Sequence, residues 1–295
     1  MGSLTFTKTP LLASLQDEGR KYMAYYAIPP SGALDHHSLR LANSLVGNPL
    51  DYPCIEFNYN SGEIIFQSDA VIALTGADMD FRINGLIIKN NKAISVKKED
   101  VLSGRWCKEG SRSYLAVRGK IKTQQHYGSA SAYALVGLGH NGGQSLKSGN
   151  TLYWHPHQSK TTAQYSMPAA KLSYSEIKIY PGPEYEQLDK SSIQQLQQGS
   201  FSVSPDSNRM GARIQEKLEL KKYTHLKKSV PVLPGFIQLT PSGQLIVVLQ
   251  DGQTTGGYPR IAFIKPEDLY QFNQLAPNQE FNFKFRDLWY DQQKD

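Results

Sequence analysis

Residues 251–259 read DGQTTGGYP and bring together a side-chain amide (Gln253), two hydroxyls (Thr254, Thr255), a phenol (Tyr258) and three glycines (Gly252, Gly256, Gly257). Paired glycines permit positive φ and leave no Cβ, so backbone N–H groups can approach a ligand closely. Hydroxyls, an amide and bare backbone in one place suit a carboxylate or an amide group. The same residues also suit a tight glycine hairpin with threonine caps. A second cluster, Ser207–Asn208–Arg209–Met210–Gly211–Ala212–Arg213, offers a guanidinium fork that fits a carboxylate bidentately. Asn208 beside it supplies both a donor and an acceptor. Its alternative reading is an arginine-bearing β-turn with a surface ion pair, which contributes little stability. In the N-terminal part Asp35 is the carboxylate that stands out, after Pro29–Pro30–Ser31–Gly32–Ala33–Leu34. It suits the N-cap or first turn of a short helix, and helix N-termini also attract anions.

These residues need elements to hold them. Leu245–Ile246–Val247–Val248–Leu249 is an unbroken apolar run with β-branched residues, which predicts a strand buried on both faces. Such a strand defers its polarity to its end, where residues 251–259 begin. Leu39, Ala42, Leu45 and Val46 recur at helical spacing, and Gly47 stands where a glycine would end the helix. Met79, Phe81 and Ile83 alternate with polar residues into Asn84–Gly85, a hairpin signal, and Leu86–Ile87–Ile88 returns. Residues 113–117 and 177–180 read as further short strands, and Phe281–Phe285 alternates strictly. Two more helices are expected, one from about Glu184 to Gln198 stopped by Gly199, the other opening at Pro266 with Leu269 and Phe272 on one face. Many short strands, few helices and frequent Gly/Pro turns predict an all-β, mainly β fold of barrel or sandwich type. A patternless polar stretch near His157–Thr162 suggests two domains, 1–158 and 159–295, which can interleave.

Composition narrows the function. The net charge of +6 is spread over 295 residues. The densest basic run, Lys217, Lys221, Lys222, Lys227 and Lys228, lacks aromatic residues for base stacking, so a solvated face is expected and no nucleic-acid partner. No apolar stretch approaches the ~20 residues of a membrane span. The N-terminus lacks the basic-then-apolar pattern of a signal peptide, which predicts a cytoplasmic protein. Cys54 and Cys107 are expected as two buried thiols. There is no G-x-x-x-x-G-K-[ST] phosphate loop, no G-x-S-x-G elbow and no H-E-x-x-H helix. His155 and His157 have no nearby carboxylate or cysteine, so they read as surface histidines and no metal is expected. The glycine-rich Gly137–Gly143 does not open a helix after a strand, and a long β-connection is expected there. No M-K-M tripeptide for a biotinyl-lysine is present.

Taken together, the stretches resemble one family along almost the whole chain. Leu15–Arg20, Ser31–Asp35 and Leu41–Asn48 follow its N-terminal pattern, and Ala73–Ala77 with Arg112–Val117 its middle. Pro181–Gly182–Pro183–Glu184, Ser207–Gly211, Leu233–Pro234–Gly235 and Gln253–Pro259 match the rest. The chain resembles the biotin-dependent carboxyltransferase family, also called allophanate hydrolase subunit 2. Bacterial members are known as the C component of 5-oxoprolinase or as the antagonist of a sporulation kinase inhibitor. The resemblance implies cyclophilin-like β-barrels with a few short helices. It also implies ATP-dependent opening of 5-oxo-L-proline to L-glutamate with two partners, one lactam-utilisation-like and one kinase-inhibitor-like. Where the family commonly reads G-S-R-S-T, this chain has Gly128–Ser129–Ala130–Ser131–Ala132, and Asn141 stands where an arginine is usual. An anion contact from that loop is therefore altered.

The first reading is a 5-oxoprolinase-type subunit that borrows ATP from its partners and carries no biotin. In it Arg209 clamps an anionic group and Asn208 orients the amide. Thr254, Thr255 and the backbone at Gly256 and Gly257 form an oxyanion-type cradle. Asp35 acts as base or orienting group, with Gln16, Gln253 and Tyr258 as further contacts. A regulatory protein that binds a kinase inhibitor is the second reading. Carboxyl transfer from a separate biotin carrier to urea or a similar amide is the third. Aromatic anchors would favour the regulatory one.

Overall fold

The structure is a computed structural model and describes residues 1–156 and 175–286, apart from Lys222, Thr224 and Lys227. The boundary expected near His157–Thr162, His157 itself, and Lys222 and Lys227 of the basic run lie outside the described residues. The chain forms two compact units, Met1–Lys21 with Ser31–Lys171 and Tyr22–Pro30 with Leu172–Asp295. No described helix is long and apolar enough to cross a membrane.

In the first unit the strand Arg112–Val117 shows how sequence builds layers. Successive side chains of a strand point to opposite faces. Leu115 and Val117 accordingly enter one core, Tyr114 and Ala116 another. Covered on both sides, the strand runs apolar without a polar face. It is the middle strand of a five-stranded antiparallel sheet, ordered Leu12–Gln16, Cys54–Asn58, Arg112–Val117, Ala70–Gly76, Ala93–Val96. One face packs on a seven-stranded sheet through a core that includes Phe6, Phe57, Phe66, Leu115 and Trp154. The other carries the helix His36–Val46, whose Leu39, Ala42, Leu45 and Val46 are buried as the spacing requires. Leu39, Leu45 and Val46 each contribute roughly 1.5–3 kcal/mol when fully buried, and Ala42 less. Gly47 ends this helix in the left-handed region at φ 74°. Asn84 and Gly85, at φ 50° and 81°, make the tight hairpin that joins Arg82–Ile83 to Leu86–Ile87.

The second unit is a barrel. Its seven strands run in the order Ser200–Ser202, Glu280–Phe285, Glu176–Pro181, Arg260–Phe263, Phe236–Leu239, Gln244–Val248, Gly211–Lys217. An antiparallel bridge from Val203 to Ile214 joins the two ends of that order and closes the wall. The alternation of 281–285 places Phe281 and Phe283 inside, where they meet Phe201 with ring centroids 5.1–6.3 Å apart. The run 245–249 is buried apart from Ile246, which is half-buried.

Three local expectations need correction. Residues 184–198 do not form one helix: a single turn at Tyr185–Gln187 precedes a helix at Lys190–Gln198, capped by Asp189. Glu184 is held elsewhere, by both forks of the Arg260 guanidinium at 2.7 and 3.0 Å. That guanidinium also keeps the Glu184 carboxyl below its usual range. The last helix starts at Leu269, not Pro266. Cys107 is half-buried, whereas Cys54 is buried as expected.

The Pro181–Gly182–Pro183–Glu184 stretch has a structural explanation. A Cβ on Gly182 would stand 2.1 Å from the Arg260 carbonyl oxygen and 2.8 Å from the Ala262 nitrogen, both backbone atoms that cannot yield. By contrast, a Cβ on Gly257 meets nothing within 4 Å. We expect Gly182→Ala to lower unfolding free energy by about 2 kcal/mol or more, in the range of overpacking strain. Gly257→Ala should leave it within about 0.5 kcal/mol, as surface changes do. Urea denaturation of both variants measures the difference; equal midpoints would remove the steric account.

Candidate functional site

The second unit holds most of the predicted site. After the strand Gln244–Val248 the chain turns at Leu249–Gly252, and this turn is tied to the 208–211 loop by main chain. Leu249 N–H donates to the Met210 carbonyl at 3.0 Å and Asp251 N–H to the Arg209 carbonyl at 2.9 Å. The two motif stretches, far apart in sequence, therefore meet at Arg209–Met210 and Leu249–Gly252. Gly252 lies within this contact, since a Cβ there would stand 2.7 Å from the Met210 oxygen. Side chains complete it. Arg209 Nε donates to Asp251 Oδ2 at 2.9 Å and its Nη2 to Oδ1 at 3.4 Å, with Asp251 almost buried. The fork expected to meet a substrate carboxylate is thus turned onto a carboxylate of the chain. Asn208 is exposed, and its Oδ1 accepts from the N–H groups of Met210 (2.8 Å) and Gly211 (3.3 Å), closing its own turn.

Beyond the turn the chain pairs with a short segment. Thr255–Gly256 lies antiparallel to Val230–Pro231, and Val232 N–H donates to the Thr254 carbonyl at 2.9 Å. Thr254 is half-buried, while Gln253, Thr255, Gly257 and Tyr258 are exposed. None of Gly252, Gly256 and Gly257 uses positive φ, so that reason for glycine does not hold. What Gly256 supplies is space: a Cβ there would stand 2.8 Å from the Nε2 of Gln238. Gln238 is a residue that local patterns did not mark. It is 1 % exposed, and its Oε1 accepts from Gln253 Nε2 at 3.1 Å. Its only sequence signal is an amide interrupting the apolar Phe236–Leu239.

Gln16 and Asp35 belong to the first unit. Asp35 is the N-cap of its helix: Oδ1 accepts from Ser38 N–H at 2.8 Å and Oδ2 from Ser38 Oγ at 2.6 Å. Its own N–H donates to the Tyr114 hydroxyl, which donates to Glu56. Burial, with the charges of Glu56 and Asp35 beside it, raises that hydroxyl well above its usual range and keeps it a donor. Gln16 Nε2 donates to Ser14 Oγ at 2.8 Å, and Gln16 Oε1 is buried with no hydrogen-bond partner among the described residues. Next to it Asp17 accepts from Ser129 Oγ (2.6 Å), Ala130 N–H (2.6 Å), Ser131 Oγ (2.5 Å) and Gly19 N–H (2.9 Å). The Ala33 N–H donates to the Asp17 carbonyl, which joins the Gln16 and Asp35 segments. So the 128–132 loop, where the basic residue is missing, faces inward onto Asp17, and Ala130 is fully enclosed. Asn141 takes a left-handed conformation (φ 52°), which asparagine tolerates better than most residues. The glycine-rich 137–143 stretch lies, as expected, in the long connection between the strands Lys120–Ile121 and Thr151–His155, and makes tight turns within it. Among the described residues no cluster of His, Cys, Asp or Glu could hold a metal ion.

The partners found here define what substitutions should do. Arg209→Lys keeps a charge but loses the two-pronged bond to Asp251. We expect it to cost about 1–2 kcal/mol of stability, between an exposed pair and a buried one. In a double-mutant cycle with Asp251→Asn the two costs should not add. Additive costs in thermal or chemical melts would mean that the pair contributes nothing. At the other end, Asp35→Ala should lose about 1 kcal/mol through the lost cap, and Asp35→Ser should recover most of it.

Comparison with known proteins fits this architecture. The profile of the family described as carboxyltransferase domain, subdomain A and B, matches residues 26–285. The chain is 35% identical to the C component of 5-oxoprolinase from Escherichia coli (strain K12) over 282 residues, covering 95% of this chain and 90% of that protein. It is 27% identical to urea amidolyase of Saccharomyces cerevisiae over 291 residues, which is 92% of this chain but 16% of that protein. Among solved structures, TTHA0988 superposes with a TM-score of 0.87 at 27% identity, covering 96% of this chain and 56% of that one. The K. lactis urea amidolyase gives 0.86 at 26% identity, with 95% of this chain and 18% of that one covered. The chain thus spans little more than half of the first and under a fifth of the second. With its profile matched over most of its length, the chain belongs to the carboxyltransferase domain family, subdomains A and B.

Proposed function

We propose that the chain is the carboxyltransferase-family subunit of an ATP-dependent 5-oxoprolinase. With a lactam-utilisation-like and a kinase-inhibitor-like subunit it opens the ring amide of 5-oxo-L-proline to L-glutamate. The observation that carries this reading is the 35% identity to the E. coli protein across 95% of this chain and 90% of that protein. Chemistry agrees with it. Opening the lactam adds water to the carbonyl carbon, breaks the C–N bond, and leaves a carboxylate and an amine. As the carbonyl is attacked its oxygen gains negative charge, which fixed donors stabilise. The hydroxyls of Thr254 and Thr255 and the backbone at Gly257 supply such donors, Gly256 holds them against Val230, and Gln253 and Tyr258 stand at their edge. Asn208 and Arg209 stand on the loop tied to the same turn. Arg209, through Asp251, positions that turn. Gln16 and Asp35, which belong to the first unit, are assigned there as orienting groups. ATP is assigned to the partners, because this sequence has no phosphate loop.

The likeness to the K. lactis urea amidolyase supports a second reading, carboxyl transfer from a separate biotin carrier to urea. A reconstitution separates the two. We expect glutamate release from 5-oxoproline only when ATP, this chain and both partner subunits are present. Thr255→Val should then lower kcat about 100-fold, as loss of one oxyanion donor does. Glutamate release by the two partners without this chain would overturn the proposal. ATP-dependent carboxylation of urea with a biotin carrier, in place of lactam opening, would select the second reading.

A further inference from the structure

The residue with least reason to be polar in the second unit is Gln238. It lies on the strand Phe236–Leu239 of the barrel at 1 % exposure, flanked by the buried Ile237 and Leu239. Burying a primary amide is costly unless it is hydrogen-bonded, and leucine would fill the same volume without that cost. The local backbone is also irregular at this position. Ile237 pairs with Ala262 but Gln238 pairs with Arg260, so one extra residue enters the opposite strand. Bulges of this kind re-aim side chains beside functional sites. Here the re-aimed amide reaches the 253–258 loop. Its Oε1 accepts from Gln253 Nε2 at 3.1 Å, and its Nε2 donates to the Tyr258 carbonyl at 3.5 Å. Gly256 completes the arrangement, because a Cβ there would stand 2.8 Å from the Gln238 Nε2 and 3.3 Å from Val232. A buried amide, a bulge that turns it, and a glycine that makes room for it all converge on one exposed side chain, Gln253.

We propose that Gln238 is a positioning residue that fixes the Gln253 amide for substrate, which rests on the amide-binding role given above to the 253–258 loop. An exposed glutamine rotates freely and presents oxygen or nitrogen indifferently. With its Nε2 bound to Gln238, Gln253 has a set orientation, and its Oε1 is turned away from that bond as an acceptor. An acceptor beside the Thr254–Thr255 donors matches the N–H and the C=O of a ring amide. The same pair discriminates against a ring ester, which has no N–H to donate.

The test uses the full-length chain in two forms. Gln238→Leu removes the acceptor at nearly constant volume, and Gly256→Ala displaces the same amide from the other side. In the free chain, the Gln253 side-chain NH2 should show a 15N order parameter near the rigid value of about 0.85, falling below about 0.6 in both variants. Melting temperatures should stay within about 3 °C, the shift that about 1 kcal/mol produces in a chain of this size. In the reconstituted complex, Gln238→Leu should raise KM for 5-oxoproline about tenfold, the equivalent of one hydrogen bond, with kcat within about twofold. Gln253 remaining rigid in both variants overturns the proposal, as does an unchanged KM in an active complex. If the wild-type complex leaves 5-oxoproline intact, the functional reading fails, and the relaxation measurement still decides whether Gln238 positions Gln253.

Discussion

The first unit is organised around one buried carboxylate. Asp17 is 5 % exposed and takes hydrogen bonds from two serine hydroxyls and two backbone N–H groups. A carboxylate removed from water is strongly destabilising unless such donors replace its hydration. Its need for donors therefore dictates where the 128–132 loop goes, and the Asp17 carbonyl in turn holds Ala33. From Ala33 the chain passes directly to Asp35, which starts the helix that covers one face of the five-stranded sheet. Asp17 thus ties the 128–132 loop through its carboxylate and the Ala33 segment through its carbonyl, and the helix follows from the latter. Four donors on one carboxylate also act cooperatively, so the arrangement is held as a unit and not bond by bond.

The second unit solves the same problem with guanidinium groups. Arg260 binds Glu184 bidentately, donates to the Pro231 carbonyl at 2.7 Å, and lies over the Phe236 ring. It thereby connects the strand Arg260–Phe263 to the segment that pairs with Thr255–Gly256. Arg209 does the equivalent for the turn at Asp251. Lysine could not replace either, since its ammonium is a point charge without a fork. The loop that carries Gln253, Thr254 and Thr255 is consequently anchored at both ends by arginine–carboxylate pairs. Preorganised donors are worth more than flexible ones, because no reorganisation accompanies the reaction.

What the sequence made legible follows the range of each interaction. Helix 36–46 was readable because its cap, its apolar spacing and its terminal glycine lie within about a dozen neighbouring residues, the reach of helix signals. The Asn84–Gly85 hairpin and the alternation of 281–285 are equally local. Residues 184–198 form less helix than expected because the chain is extended at Leu188–Asp189, where Asp189 caps a new helix. Asp17 stood inside a matched motif, yet its partners at 129–131 lie more than a hundred residues away. Gln238 is harder still, since its role depends on a bulge in a neighbouring strand. Arg209 shows the converse: its type suggests an anion site, and only the fold reveals that Asp251 is one of its partners. Family resemblance reached Asp17 and Arg209, which stand in matched stretches, but not Gln238, and it gave no partner for any of them.

The composition of the second unit's cradle bears on the division of labour. Around Gln253–Tyr258 the described side chains are amides, hydroxyls and a phenol, and the nearby carboxylates, Asp251 and Glu184, are each held by an arginine. The Arg260 guanidinium holds the Glu184 carboxyl below its usual range, which makes it a poor proton acceptor. Groups of this kind orient a planar N–C=O unit and stabilise charge on its oxygen, whether the unit is a lactam or urea. On the proposed reading this chain therefore contributes recognition and electrostatic stabilisation, and ATP chemistry falls to the other subunits. Such a division explains how one carboxyltransferase-type fold can serve both amide opening and carboxyl transfer. The shared requirement is a rigid set of donors facing a planar amide, and the reaction that follows is decided by what the partner delivers to it.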